Sequence, residues 1–135
     1  KEPDEEGVDV GILEGGINNS ANEEVARKMR ERAKILVALG DCAVFGGVPA
    51  MRNFCGIEEA LKRAYVETES TDESGAVPDD PELAKMTRAR ALQEVVPVDV
   101  HVPGCPPSAD TIFHVLSELA QGRRPELKDE LLHCH

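Results

Sequence analysis

Apolar residues fall along this chain in short bursts, and the period of each burst predicts an element. Val8–Leu13 is a brief Val/Ile-rich run that ends at Glu14-Gly15-Gly16, the pattern of a buried strand stopped by a glycine turn. Ser20 and Glu23 are spaced as a capping box, which predicts a helix over about Ala21–Arg32 with Val25 and Met29 facing inward. Lys34–Leu39 predicts a second buried strand, ending at Gly40-Asp41-Cys42 and followed by the pair Gly46-Gly47. Ile57, Ala60, Leu61, Ala64 and Tyr65 form the apolar stripe of another helix. Glu67–Glu82 is acidic and broken by Gly and Pro, which predicts a mobile surface excursion. Leu83–Leu92 has the character of a short helix. A third strand is expected within Val95–Val102, ending at Pro103-Gly104-Cys105-Pro106-Pro107. Ile112, Val115, Leu116, Leu119 and Ala120 mark a last helix that stops at Gly122, and a tail from Arg123 should pack on a surface or a partner.

Strands alternating with helices predict an α/β fold, a flavodoxin-like open parallel sheet with helices on both faces. One domain over residues 1–135 suits the length. Three strands are few for such a sheet, so the first strand is expected to be missing here and to precede Lys1.

In open parallel sheets ligands bind at the carboxyl ends of the strands. The three strand ends carry Glu14, Cys42 and Cys105, each beside glycine, and all three should converge on one edge. Taken singly, each has an ordinary reading. Cys42 is a small buried hydrophobe, the glycines are turn residues, Glu14 is a solvated strand-end residue, and Pro106-Pro107 opens a helix. Taken together, thiols at two adjacent strand ends suit a bulky cofactor, because glycine lets backbone approach it closely.

The chain has four cysteines and no C-x-x-C, which reads as reduced thiols with metal favoured over disulfides. Thiolates select zinc, copper or iron–sulfur clusters, and a cluster takes four. Cys55 reads as a packed or partner-facing thiol, and Cys134, between His133 and His135, lies in a poorly fixed tail. That leaves two ligands here and two to be found elsewhere.

The net charge of −11 and the scarcity of aromatics, one Tyr, three Phe and no Trp, argue against a nucleic-acid partner. No apolar run approaches the roughly 18 residues of a membrane span.

GDCAVFGGVPAMRN (Gly40–Asn53) and PGCPPSAD (Pro103–Asp110) resemble the two later cysteine motifs of [NiFe] hydrogenase small subunits. LEGG (Leu13–Gly16) resembles the family's Glu-Gly segment, and the likeness runs from about Val8 to Gly122. The VPAMRN continuation and the short length look most like the soluble, NAD-reducing branch. The resemblance implies a proximal [4Fe–4S] cluster with Cys42 and Cys105 as ligands and with Glu14, Gly40, Gly46, Gly104 and Pro106 around it. Its other two ligands would come from a first cysteine motif that this chain lacks. It also implies a large partner subunit holding the nickel–iron centre, a flavin- and iron–sulfur-bearing diaphorase that reduces NAD, and a cytoplasmic location. FMN binding is compatible with a flavodoxin-like domain, though nothing in the sequence shows it. The rival readings are the iron–sulfur small subunit of a proton-pumping quinone reductase, a non-catalytic flavodoxin-like binding module, and a structural zinc site, the last disfavoured by the wide cysteine spacing.

Overall fold

A computed structural model describes residues 6–72, 74–128 and 131. In chain order the elements are β1 (Val8–Glu14), β2 (Ile17–Asn19), α1 (Ser20–Arg32), β3 (Ala33–Leu39), α2 (Asp41–Phe45), a 3-10 turn (Val48–Phe54) and α3 (Ile57–Tyr65). They continue with β4 (Met86–Arg90), a second 3-10 turn (Leu92–Glu94), β5 (Val100–Val102) and α4 (Ala109–Ala120). β1, β3 and β5 form one parallel sheet with β3 in the middle, while β2 and β4 pair antiparallel beside it.

The apolar run of β3 lies in the centre of this sheet and is buried on both faces, as parallel strands are. Leu36 and Ala38 face one cluster, packed with Ile17, Ala26, Ala43, Val44, Leu92 and Val96. Val37 faces the other, with Val100, Val102, Val115 and Leu119, and Leu127 of the tail packs against it. One face is therefore covered by α1 and α2 and the other by α4, as expected for a parallel α/β sheet. Gly11 on β1 lets α1 come close, since a Cβ there would sit 2.8 Å from Met29 Sδ.

Several local expectations are corrected. The cap of α1 is Asn19, whose Oδ1 accepts from Asn22 N at 2.8 Å. Ser20 is instead engaged with Lys85, its Oγ accepting the Lys85 amide at 3.0 Å, and Glu23 is held by Arg27 and Arg90 at 2.6 and 2.5 Å. Three consecutive cap-competent residues (Asn18, Asn19 and Ser20) left that choice to tertiary pairing. Val25 is 50% exposed, and Ala26 with Met29 forms the inward face.

Residues 83–92 are not a helix. Met86–Arg90 is strand β4, paired with β2 on one side. On its other side the Asn53 side chain mimics a neighbouring strand, donating to Ala89 O at 2.7 Å and accepting from Ala89 N at 2.9 Å. Tertiary hydrogen bonds outweigh a weak helical preference here. The third strand shortens to Val100–Val102 because residues 92–94 form a 3-10 turn and Pro97 intervenes. The α3 stripe is only partly covered, with Ala64 and Tyr65 exposed. The described residues of 67–82 form neither helix nor strand. Of the tail, Arg124 donates to Asp99 O at 2.8 Å and Thr111 Oγ1 donates to Leu131 O at 2.7 Å, so the chain folds back over α4. Cys134, with its flanking histidines, lies outside the described residues.

The start of β5 is held by Asp99. Its Oδ2 accepts from Arg30 Nη1 at 2.5 Å and from Leu36 N at 2.7 Å. The Arg30 guanidinium first, then the Leu36 amide, hold the Asp99 carboxyl below the ordinary aspartate range. A lowered folded pKa stabilises above the unfolded value and loses that stabilisation as pH falls through the lowered one. Urea unfolding of Asp99→Asn should therefore show lower stability than the unmutated chain at neutral pH. The gap should close on acidification below about pH 4.

Candidate functional site

Parallel pairing sets the site. Glu14 of β1 is level with Leu39 of β3, which is level with Val102 of β5, so the three strands end along one edge. Just beyond them a concavity of about 430 Å³ is lined by Glu14, Gly15, Leu39, Gly40, Asp41, Cys42 and residues 104–107. Both cysteines expected at strand ends thus face one site. Cys42 is half-buried, Cys105 is exposed, and both are free thiols.

The cysteine loops are tied by hydrogen bonds that carry the β3–β5 ladder past the strands. Gly40 N donates to Val102 O at 2.7 Å, and Asp41 N donates to Gly104 O at 2.9 Å. In return Gly104 N donates to Asp41 Oδ1 at 2.6 Å. Gly40, Asp41 and Gly104 each stand one or two positions before a cysteine. Asp41 was not singled out by sequence reasoning, although its place between strand end and cysteine was a signal.

Two glycines shape the thiol loops. A Cβ on Gly47 would lie 2.9 Å from Cys42 Sγ, so its bare Cα leaves room for the sulfur. Gly104 turns at φ +135°, where a Cβ would strike Pro107 Cα at 2.5 Å. Gly46, the other member of the pair, caps α2 by donating from its amide to Cys42 O at 3.1 Å and does not line the concavity. Pro107 is buried, and Pro106 is exposed after a cis Cys105–Pro106 bond. Glu14 is exposed at the rim. Cys55 is exposed at the end of the 48–54 turn and does not line the site.

Beside Cys42 the chain presents an apolar surface that periodicity did not reveal. Phe45, Val48, Met51 and Phe54 are 66%, 69%, 63% and 90% exposed. The turn bearing the last three is anchored by Asn53 on Ala89 and by Arg52, which donates to Thr87 O. Large apolar groups exposed and held in place are of the kind that interaction surfaces use.

Among the described residues no three His, Cys, Asp or Glu side chains group to hold a metal ion. What is present fits part of a larger ligand set: two soft thiols at adjacent strand ends, with Gly15, Gly40 and Gly104 lining the concavity without side chains to fill it. Nor is any helix among the described residues long and apolar enough to cross a membrane.

Fold and site together define an open α/β domain with a thiol-bearing concavity at the carboxyl ends of its strands. The chain belongs to the family described as NADH ubiquinone oxidoreductase, 20 Kd subunit, whose model matches residues 1–119. It is 40% identical over 121 residues to a subunit of the F420-non-reducing hydrogenase of Methanothermobacter marburgensis, covering 89% of this chain and 39% of that one. It is 40% identical over 126 residues to the NAD-reducing hydrogenase HoxS subunit delta of Cupriavidus necator, covering 90% of this chain and 60% of that one. A solved structure of NAD+-reducing [NiFe]-hydrogenase in the H2-reduced state has a chain that superposes with TM-score 0.89 at 39% identity, over 93% of this chain and 71% of that one. The resemblance to hydrogenase small subunits seen in the cysteine motifs is thus borne out by relatives along nearly the whole chain. The chain spans about two to three fifths of the length of these curated relatives.

Gly47→Ala tests the tight fit at the thiol. At φ +51° and ψ −148°, outside the left-handed helical well, an alanine costs about 1–3 kcal/mol from backbone alone, and its methyl would lie 2.9 Å from Cys42 Sγ and 3.0 Å from Cys42 Cα. The expected result is a lower melting temperature together with an altered rate of Cys42 alkylation. A variant matching the parent in both would show that the contact is slack.

Proposed function

We propose that this domain is the iron–sulfur portion of the small, electron-transferring subunit of a cytoplasmic NAD-reducing [NiFe] hydrogenase, with Cys42 and Cys105 as two thiolate ligands of its proximal [4Fe–4S] cluster. The observation that carries this reading is the convergence of the two thiols on one concavity, with their loops locked by the Asp41–Gly104 backbone and side-chain bonds. Such a cluster, when bound, supplies reversible one-electron transfer. The chain's own part is to hold two thiolates at a fixed separation, to leave room with glycine backbone, and to tune the potential through nearby charge and hydrogen bonds. Cys42, half-buried, sits deeper in the protein than Cys105. Glu14, Gly40, Gly104 and Pro106 would border the cluster, and Glu14 at the exposed rim is suited to a surrounding or proton-passing role.

The large subunit bearing the nickel–iron centre is the partner we assign to the apolar surface of Phe45, Val48, Met51 and Phe54, which adjoins Cys42 in the chain. A diaphorase would receive the electrons and reduce NAD. Support comes from the Cupriavidus relative, which is a subunit of an NAD-reducing hydrogenase. The second reading, an iron–sulfur subunit of a quinone reductase, is favoured by the family's own description. The hydrogenase relatives at 40% identity favour the first.

Cys42→Ser and Cys105→Ser, each made in the assembled protein, should lose bound iron and the electron-spin signal of the reduced cluster, whereas Cys55→Ser should keep both. Iron retained in full by both of the first two variants would overturn the cluster reading. The partner surface is checked separately by Met51→Asp with Phe54→Asp. Association with the large subunit should weaken by tenfold or more, about 1.4 kcal/mol per decade, in a titration read by size and light scattering. Unchanged affinity would move the interface elsewhere.

A further inference from the structure

We propose that Asp41 is a positioning residue for the proposed cluster: its carboxylate fixes the Cys105 loop against the Cys42 loop and also lowers the cluster's potential. This rests on the reading of Cys42 and Cys105 as cluster ligands and goes beyond it by assigning a residue that is not itself a ligand.

Three observations carry it. First, Asp41 immediately precedes Cys42 and Gly104 immediately precedes Cys105, and the two residues are joined in both directions. Asp41 N donates to Gly104 O at 2.9 Å, and Gly104 N donates to Asp41 Oδ1 at 2.6 Å. A reciprocal pair fixes orientation as well as separation, so the relation of one cysteine backbone to the other is set through Asp41. Second, Gly104 is buried and turned at φ +135° with no room for a side chain, so its amide has lost water and depends on that carboxylate oxygen. A bond from a backbone amide to an ionised carboxylate is stronger than a neutral one. Third, Asp41 is half-buried and lines the same concavity as both thiols. Its negative charge there opposes the addition of an electron, which is how nearby charge sets a cluster's potential.

The two roles separate by substitution. Asn keeps the oxygen that accepts from Gly104 N and removes the charge; Ala removes both. In the intact complex, Asp41→Asn should keep the wild-type iron content and the g-values of the reduced cluster while its midpoint potential rises. Asp41→Ala should lose iron, or bind it with a broadened, shifted spin signal. If Asp41→Ala does not fold, the asparagine variant decides alone, through its potential at an unchanged spectrum. An alanine variant with wild-type iron and spectrum, or an asparagine variant with wild-type potential, would overturn the assignment while leaving the cluster reading intact. Wild-type protein whose iron does not depend on Cys42 and Cys105 would instead overturn the cluster reading, and the assignment with it.

Discussion

Backbone amides at the ends of a parallel strand lose their ladder partners, and each that stays buried must find another acceptor. In this protein that requirement is met between β3 and β5 by aspartates at both ends. At the entrance to β5, Asp99 accepts the Leu36 amide of β3 while holding Arg30. Past the exit, Asp41 accepts the Gly104 amide. β5 has only three residues of ladder, Val100–Val102, so these flanking bonds extend a pairing that would otherwise be short. The thiol geometry depends on that pairing, because Cys42 and Cys105 follow directly from the two strands it joins.

The core serves the same arrangement. Leu36 and Ala38 face one cluster and Val37 the other, so the central strand is gripped from both sides and cannot slip by one residue without exchanging its faces. A slip would also separate Asp41 from Gly104. Packing and the loop hydrogen bonds therefore reinforce the same register. Variation can collect in the exposed stretch after α3, where the described residues form no ladder or helix.

Around this rigid edge the surface has two characters. The sulfurs sit in a glycine-lined concavity, and beside them Phe45 stands out from α2 while Val48, Met51 and Phe54 stand out from a turn that Asn53 and Arg52 pin to β4. Asn53 is notable because a side chain completes a strand edge there, donating to and accepting from one residue, Ala89. Side chains carried on a turn pinned in this way have less freedom left to lose on association.

Much of this was readable in the linear chain. The apolar runs at Val8–Leu13 and Lys34–Leu39 and the helical spacing from Ile112 to Ala120 name their elements, because burial on a strand or a helix face repeats at short range. Cys42 after Lys34–Leu39 and Cys105 after the strand expected within Val95–Val102 follow from the same reading, since parallel strands send their carboxyl ends to one side. Local pattern could not decide matters settled by distant partners. Met86–Arg90 is a strand because β2 and Asn53 flank it, against its own mild helical preference. Asn19 rather than Ser20 caps α1 because Ser20 is engaged with Lys85. Gly47 rather than Gly46 meets the thiol because of how α2 ends, and Asp41 matters because Gly104, 63 residues away, is folded against it. Residue type and period are local quantities, carried by the chain itself; hydrogen-bond partners across such separations exist only once the sheet has closed.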